Sequence, residues 1–196
     1  MSYIESVKKV CGRDDIISAF EEINRGNFIP SSYKKYASVD MPVPIGEGQT
    51  TSQPSLIADM ICKADIHAGH KVLEIGTGTG YAAAIMATIG AEVYTVERLG
   101  KLYKQALRNL SAFPNVRVFM AGEDLGLPDY APFSRIIVFA YYEEVPLELV
   151  NQLIDGGIMV IPIGDEFSQH LYRLRNIGGK IYEEKLYPVR FVPLIW

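Results

Sequence analysis

The sequence predicts an α/β fold built on a doubly wound, mostly parallel sheet, and three features of the 196-residue chain indicate it. Helical patterns come first, short apolar segments then alternate with helical segments, and two long alternating segments come last. Short apolar strands separated by helices favour parallel pairing, with helices covering both faces of the sheet. We therefore expect N-terminal helices, a parallel core and a C-terminal antiparallel hairpin.

The N-terminal part, residues 1–53, divides into two helices and a covering loop. Apolar residues recur at spacings of three and four between residues 2 and 24, which favours two short amphipathic helices separated near Gly12–Asp15. Residues 25–53 contain three prolines and have no helical periodicity, so we interpret them as an ordered loop or a lid. Pro54 then stands at an early position of a third helix.

Residues 54–164 form the predicted cofactor-binding core, and residues 165–196 add C-terminal strands to it. Gly178 and Gly179 separate the two segments of the predicted hairpin. The whole chain, 1–196, is predicted to be a single domain. The predicted core strands are "KVLEIG", "EVYTVE", "NVRVFM", "FSRIIVFA" and "GIMVIPIG", and the predicted helices are "YAAAIMATIG", "LGKLYKQALRNLSAF" and "PLELVNQLI".

Composition and charge argue against several classes of protein. A hydrophobic content of 48% is enough to bury a full core, which argues against disorder. The 19 basic and 23 acidic residues give a net charge of -4, which does not favour a nucleic-acid partner. No segment approaches the roughly 18 apolar residues of a membrane span, and the first residues lack an apolar signal region. We expect a cytoplasmic monomer that binds neither nucleic acid nor membranes.

The cysteines and histidines do not follow a metal-binding or disulfide-framework pattern. Cys11 and Cys62 are isolated in the sequence, and we interpret them as reduced thiols. His67 and His70 form an HxxH pair without a third ligand nearby, and we interpret them as surface residues. No metal is expected.

A glycine-rich loop follows the first predicted strand of the core. Gly76, Gly78 and Gly80 allow the backbone to turn tightly and to approach a ligand, while the helix that follows presents free amides. Ligands of such sheets bind beyond the carboxyl ends of the strands. Taken alone, the pattern is also compatible with a tight turn that binds nothing.

Acidic residues after the next two strands indicate which ligand this is. Glu97 comes 21 residues after Gly76, where a carboxylate can accept hydrogen bonds from both hydroxyls of a ribose. Gly122 and Glu123 follow the third strand, where Glu123, or Asp124 if the loop is shifted, can accept from an adenine amino group. The glycine spacing differs from the dinucleotide motif and lacks the lysine of a P-loop, which disfavours phosphate. The predicted cofactor is S-adenosyl-L-methionine.

Longer motifs resemble one family. The segment "VLEIGTGTGYAAAIMA" resembles the cofactor motif of class I methyltransferases. In order and spacing, "RGNFIP", "MPVPIGEGQTTSQPSLIADM", "APFSRIIV", "QLIDGGIMVIPIG" and "VRFVPL" are similar to protein-L-isoaspartate O-methyltransferases, from about Asp14 to Leu194. The resemblance implies a Rossmann-like methyltransferase fold. It also implies methylation of the α-carboxylate of isoaspartyl residues in damaged proteins, which is a repair reaction.

The resemblance implies roles for residues of the covering loop and of the C-terminal segment. The family's loop closes over the cofactor and its serine contacts the substrate, which corresponds to Ser52 here, with Thr50 as a second catalytic candidate. Main-chain groups of the family's C-terminal segment line the substrate groove, which corresponds to Val192, Pro193 and Leu194. The implied partners are proteins or peptides that carry isoaspartate.

The candidate cofactor-binding residues lie in the covering loop, in the glycine loop and at the ends of the next two strands. They are Gln53, Glu74, Gly76, Thr77, Gly78, Gly80, Glu97, Arg98, Gly122 and Glu123. For Ser52, a role as the N-cap of the helix at Pro54 is the structural alternative.

The sequence departs from the family pattern near the expected reaction centre. Tyr141 and Tyr142 stand where the family has alanines, Thr51 replaces an isoleucine, and Ser38 stands where the family tends to have a tyrosine. The two tyrosines could narrow the groove, restrict the substrates or point outward. Two alternatives therefore stay open. One is a methyltransferase of the same fold with another acceptor, a small carboxylate or an RNA base, and the other is a non-catalytic module that binds S-adenosylmethionine.

Overall fold

The computed structural model describes residues 2–196, and its N-terminal region contains helices and one small hairpin. The two helices predicted before residue 24 are confirmed, and so is the helix that begins at Pro54. The predicted loop at residues 25–53 holds more structure than expected, namely two 3-10 helices and an antiparallel pair of strands too short to show a periodicity. The regular elements are α1 (Tyr3–Val10), α2 (Asp14–Glu22), the 3-10 helices Arg25–Asn27 and Ser31–Tyr36, β1 (Val43–Gly46), β2 (Gln49–Thr51) and α3 (Pro54–Lys63).

A seven-stranded sheet forms the rest of the fold. Its strands lie side by side in the order β5-β4-β3-β6-β7-β8-β9, with parallel pairing as far as β7 and antiparallel pairing for the last two strands. The elements are β3 (Lys71–Ile75), α4 (Tyr81–Thr88), β4 (Glu92–Glu97), α5 (Gly100–Asn109), β5 (Val116–Met120), β6 (Phe133–Val138), α6 (Leu147–Val150), β7 (Leu153–Gly164), β8 (Gln169–Ile177) and β9 (Lys180–Val189). The predicted mostly parallel sheet and the predicted C-terminal hairpin are therefore confirmed.

Alternate residues of the central strands face two separate apolar clusters. In β3, Val72 belongs to the cluster that packs against α1 to α4, whereas Leu73 and Ile75 belong to the cluster on the opposite face. That second cluster receives Leu149 from α6. Because both faces are covered, the central strands are apolar along their whole length, as parallel strands usually are.

The helix predicted at "PLELVNQLI" is shorter than expected. Only Leu147–Val150 is helical, and β7 begins at Leu153, which pairs with Phe133 of β6. The buried Gln152 bonds to neighbouring main-chain groups at this point, accepting from the N–H of Leu127 and donating to the C=O of Leu125. The sequence pattern missed this because leucine and isoleucine suit a buried helix and a buried strand equally well.

Cys11 and Cys62 form a disulfide bond, so their interpretation as reduced thiols is wrong. Cys11 directly follows α1 and Cys62 lies in α3, and their Cα atoms are 6.2 Å apart, a separation that a disulfide spans. The two residues are 51 positions apart in the sequence. They meet because α1 packs against α3, a tertiary contact that no local pattern indicates.

The described residues offer neither a membrane span nor a metal cluster. Within residues 2–196, no helix is long and apolar enough to cross a membrane. In the same part of the chain, no group of three or more His, Cys, Asp or Glu side chains is arranged to hold a metal ion. Nε2 of His67 lies 2.8 Å from Oδ1 of Asp65, and Nδ1 of His70 accepts a hydrogen bond from the N–H of His67. The HxxH pair thus belongs to a local polar cluster.

The carboxyl ends of β3 and β6 lie side by side where the strand order reverses. From β3 the chain continues to β4 and β5 on one side, and it then returns to β6 on the other. Ligand sites of open α/β sheets form at such a switch point.

Candidate active site

A pocket opens at the carboxyl ends of β3 and β6, and three named segments border it. The glycine loop is residues 76–80, the roof hairpin is residues 43–51, and the terminal segment is residues 191–196. All three contribute to the lining, together with the end of β4 and with Phe139 and Ala140 after β6. The pocket therefore lies between the sheet edge and two segments outside the sheet.

The glycine loop needs its glycines for two different reasons. All three have positive φ angles, 93° at Gly76, 56° at Gly78 and 93° at Gly80, which side chains disfavour. A Cβ added at Gly80 would lie 2.7 Å from Cδ1 of Leu110, and one at Gly78 would lie 3.1 Å from Cδ1 of Ile45 in the roof hairpin. The loop is thus packed closely against both the core and the roof.

Glu97 is fixed at the end of β4 by main-chain donors. Its Oε2 accepts from the N–H of Gly78 at 2.8 Å, and its Oε1 accepts from the N–H of Leu99 at 2.9 Å. The carboxylate is buried, and burial raises the pKa of Glu97 above its ordinary value. Because each carboxylate oxygen can accept two hydrogen bonds, both oxygens keep capacity for a ligand. This arrangement suits the two ribose hydroxyls that the sequence predicts.

Glu74 lies behind the glycine loop in a buried chain of hydroxyl groups. Its Oε2 accepts from Oγ1 of Thr95 at 2.5 Å, and that hydroxyl lies 2.5 Å from Oγ1 of Thr77. Burial raises the pKa of Glu74 to about 8, the hydrogen bond from Thr95 opposes this rise, and the nearby Glu97 contributes to it. The second oxygen, Oε1, is buried without a hydrogen-bond partner in the described structure, although Glu74 lines the pocket. An unpaired buried acceptor is costly, so the site fits a ligand that brings a donor to this oxygen.

Some predicted cofactor residues lie outside this pocket lining. Gly122 and Glu123 are exposed in the loop after β5, as is Asp124. Gln53 is the N-cap residue of α3, and its side-chain amide donates to Oγ of Ser55. Arg98, by contrast, does line the pocket, and it is an exposed residue.

Several apolar residues line the pocket that the sequence did not single out, among them one in α5 and one at the end of the terminal segment. Leu102 lies in α5, and Trp196 ends the terminal segment. Leu102 follows an ordinary helical pattern, and Trp196 lies beyond the last matching motif, so neither carried a signal.

Ser52 and Thr50 both line the pocket, and Ser52 does not cap α3. The N-cap position belongs to Gln53, whose side chain makes no capping bond. The N–H of Ser55 instead donates to Oδ1 of Asp40 at 2.9 Å, so a distant carboxylate caps this helix. The structural alternative for Ser52 is thereby removed.

Main-chain hydrogen bonds hold the terminal segment beside the pocket. The N–H of Tyr141 donates to the C=O of Val192 at 2.9 Å, and the N–H of Leu194 donates to the C=O of Tyr141 at 2.8 Å. The buried side chain of Gln169 then fixes Phe191, accepting from its N–H at 2.7 Å and donating to its C=O at 3.3 Å. Around Pro193, which forms an isolated parallel bridge with Tyr141, the segment is therefore held in extended form although it lies outside the sheet.

Tyr141 and Tyr142 use their main chain to join segments. Tyr142 bonds to β7, donating to the C=O of Pro162 at 3.1 Å and accepting from the N–H of Gly164 at 2.9 Å. Both side chains are half-buried, and neither belongs to the pocket lining. Of the three possibilities for these tyrosines, direct narrowing of the pocket by their side chains finds no support.

The fold and the pocket define a class I methyltransferase. The glycine loop lies at the switch point of the parallel sheet, and a carboxylate stands at the end of the next strand. The loop has no phosphate-binding lysine. These features match a nucleoside cofactor without phosphates. S-adenosylmethionine is the cofactor of this class.

The family follows from comparison with known sequences. Residues 3–196 match the model of the protein-L-isoaspartate(D-aspartate) O-methyltransferase family, and the chain belongs to that family. A protein-L-isoaspartate O-methyltransferase of Thermosipho melanesiensis is 41% identical over 196 residues, covering 97% of this chain and 99% of the relative. One from Gloeobacter violaceus is 43% identical over 182 residues, covering 91% and 89%. The resemblance seen in the motifs is confirmed.

Solved structures agree with the fold. A protein-L-isoaspartate O-methyltransferase structure superimposes with a TM-score of 0.89 at 29% identity, covering 98% of this chain and 65% of that chain. A Plasmodium falciparum protein described as a beta-aspartate methyltransferase, in complex with S-adenosyl-L-homocysteine, gives a TM-score of 0.85 at 23% identity and covers 100% of this chain and 99% of that one. The Rossmann-like methyltransferase fold is thereby confirmed.

Proposed function

We propose that this chain transfers a methyl group from S-adenosylmethionine to the α-carboxylate of L-isoaspartyl residues in damaged proteins. The observation that carries the proposal is the meeting of three parts at one pocket: the glycine loop, the hydroxyl-bearing roof hairpin and a terminal segment held in extended form. Membership of the family supports the same reaction.

The residues of the cofactor side suit S-adenosylmethionine, which supplies a methyl group on a positively charged sulfur when bound. Glu97 would accept the ribose hydroxyls, since main-chain donors already orient its carboxylate. Glu74 would use its unpaired buried oxygen to accept from a donor of the cofactor. Gly76 and Gly78 would let the ligand approach the backbone closely.

The acceptor side would recognise a carboxylate and a polypeptide backbone. The hydroxyls of Ser52 and Thr50 can donate to carboxylate oxygens. Successive peptide groups of an extended segment point to opposite sides, and Val192 and Leu194 already bond to Tyr141. The segment's intervening peptide groups, such as the C=O of Pro193, are therefore free to pair with a substrate backbone. Pairing of this kind accepts many neighbouring sequences, as a repair enzyme requires.

The reaction needs no general base. A main-chain α-carboxylate has an ordinary pKa near 3.5, so at neutral pH it is already an ionised nucleophile. The protein's task is then alignment and exclusion of water. Ser52 would hold the carboxylate oxygen in line with the methyl group, and the roof hairpin would cover the pocket over the glycine loop.

We further propose that the chain acts as a single domain and as a monomer in the cytoplasm. One continuous sheet with the N-terminal helices packed against it supports the single domain. Reduced cysteines were one argument for the cytoplasm, and the disulfide removes it, since reducing compartments disfavour such bonds. Sedimentation of the purified protein tests the monomer, with a mass of 21.8 kDa expected.

Methyl transfer to a matched pair of peptides tests the function. Labelled S-adenosylmethionine is incubated with one peptide that contains isoaspartate and another that contains aspartate at the same position. We expect base-labile label on the isoaspartyl peptide alone. No label on either peptide, with cofactor binding intact, would contradict the proposal and favour another acceptor.

A further inference from the structure

Arg25 is a buried arginine with a single kind of hydrogen-bond partner. Its side chain is 1% exposed. The guanidinium donates to the C=O of Val39 at 2.9 Å through Nη1, and to the C=O groups of Met41 at 2.7 Å and Ser52 at 3.4 Å through Nη2. All three acceptors are main-chain carbonyls.

These acceptors lie at the two ends of the roof hairpin, just before β1 and just after β2, which we call its two feet. Residues 39–41 lead into β1, and Ser52 directly follows β2. One guanidinium therefore joins the chain that enters the hairpin to the chain that leaves it. The hairpin in turn contacts the glycine loop, since Cδ1 of Ile45 lies 3.1 Å from the position of a Cβ on Gly78.

Stability alone does not explain a charge at this position. A buried charge is costly, and well-packed apolar residues often replace a buried ionic group without loss. Among the described residues, none of the ion pairs involves Arg25, and its Nε is buried without a partner. The ring of Tyr81 lies 5.9 Å from its Cζ and supplies a further contact. What the guanidinium adds over an apolar side chain is a rigid planar fork that reaches both feet at once.

We propose that Arg25 is a positioning residue that anchors both feet of the roof hairpin and so sets where Ser52 and Thr50 lie over the pocket. The inference rests on the proposed function for its effect on methyl transfer, whereas the anchoring itself does not. Arg25 acts through the hairpin, and it lies outside the pocket lining.

Arg135 provides a control. It is also a buried arginine that bonds to main-chain carbonyls, donating to the C=O of Asp65 at 3.1 Å and to that of Ser134 at 2.8 Å. Unlike Arg25, it also pairs with a carboxylate, that of Asp65, at 3.4 Å. It lies near the start of β6, at the end of the sheet away from the pocket. Arg135→Met therefore reports the general effect of losing a buried arginine.

The test compares Arg25→Met, Arg25→Lys and Arg135→Met by amide hydrogen exchange and by kinetics, well below their thermal midpoints. In Arg25→Met we expect the hydrogen-exchange rate of the roof-hairpin amides, residues 43–51, to rise about tenfold or more. The hairpin can then open by itself, without unfolding of the rest of the protein. We expect kcat/KM for an isoaspartyl peptide to fall about 100-fold, as misplacement of reacting groups allows. Calorimetric affinity for S-adenosyl-L-homocysteine should change far less.

Arg25→Lys keeps the charge without the fork and should recover part of kcat/KM, and it serves alone if Arg25→Met does not fold. Unchanged roof exchange in both Arg25 variants, or an equal loss of kcat/KM in Arg25→Met and Arg135→Met, would overturn the inference. A wild-type chain without isoaspartyl activity, but with roof exchange raised selectively in Arg25→Met, would support the anchoring and refute only the proposed function.

Discussion

The two sides of the pocket are built by different means. On the cofactor side, regular elements of the sheet present buried side chains, and Glu97 and Glu74 are each fixed by neighbouring donors. On the acceptor side, the roof hairpin and the terminal segment lie outside the seven-stranded sheet. Main-chain bonds and two long side chains, Arg25 and Gln169, hold these segments in place.

This difference follows the chemistry of the two ligands. The cofactor is one constant molecule, so dedicated carboxylates can match its groups. The proposed acceptors are damaged proteins of many sequences, which share only a carboxylate and a peptide backbone. Recognition of such ligands favours hydroxyls and main-chain groups on held segments.

Among substitutions of residues that line the pocket, the largest effect on ligand binding is expected on the cofactor side. Glu97→Ala should weaken binding of S-adenosylmethionine about 100-fold, since two hydrogen bonds to a charged acceptor contribute about 3 kcal/mol. Isothermal titration calorimetry measures this, with Glu92→Ala at the other end of β4 as the control. Unchanged affinity in Glu97→Ala would refute the ribose role and remove the contrast between the two sides.

The acceptor side should respond in turnover and not in cofactor binding. Ser52→Ala should lower kcat/KM on an isoaspartyl peptide about 30-fold, or about 2 kcal/mol for one hydrogen bond to a carboxylate. Its affinity for the cofactor should stay close to that of the wild type. Ser38→Ala, an exposed serine in the same region, is the control. Equal losses of turnover and cofactor affinity would indicate that Ser52 only supports the structure.

The same division explains what the sequence could predict. The glycine loop and Glu97 were found from local patterns, because a strand, a tight turn and a strand end occupy consecutive residues. The roof hairpin was assigned only as a loop, since its position depends on Arg25 bonding to carbonyls 14 to 27 residues away. Every residue has a main-chain carbonyl, so neither residue type nor spacing in the sequence indicates which carbonyls Arg25 contacts.

Other predictions depended on tertiary packing. The Cys11–Cys62 bond needed the packing of α1 against α3, which lies outside any sequence window. Glu123 was predicted from its place after a strand, but the loop leaves it exposed and outside the pocket lining. Ser52 was predicted through the family motif, and the cap of α3 by Asp40 then removed its alternative role.

Glu74 offers a test of the cofactor side by pH. Its pKa is raised from 4.5 to about 8 in the folded protein, so between these values the folded state holds one proton more than the unfolded state. Stability of the unliganded protein should therefore fall as pH rises from 5 to 8, by about 1.4 kcal/mol per pH unit from this group.

Thermal unfolding across this range should show a smaller slope for Glu74→Gln than for the wild type. Glu166→Gln, at an exposed residue outside the pocket lining, is the control. Identical slopes in all three proteins would mean that Glu74 is ionised in the folded state.

The smallest effect is expected at the terminal segment. Gln169→Leu removes both bonds to Phe191 and should raise KM for an isoaspartyl peptide about fivefold, or about 1 kcal/mol. The bonds of Tyr141 to the same segment remain, which limits the loss. Gln152→Leu removes a similar buried amide away from the pocket and should change stability without changing KM. A raised KM in both variants would mean that the effect of Gln169→Leu on substrate binding does not come from the terminal segment.

The bonds between Tyr141 and the terminal segment also bear on how this protein can change over generations. They use only peptide N–H and C=O groups, so they do not depend on which side chains Val192 and Leu194 carry. Pro193 is compatible with them, since its missing N–H would point away from Tyr141. Most point mutations in this segment therefore leave its backbone geometry intact. A proline at position 141 or 194 would remove a donor, so natural variation should exclude proline at those two positions.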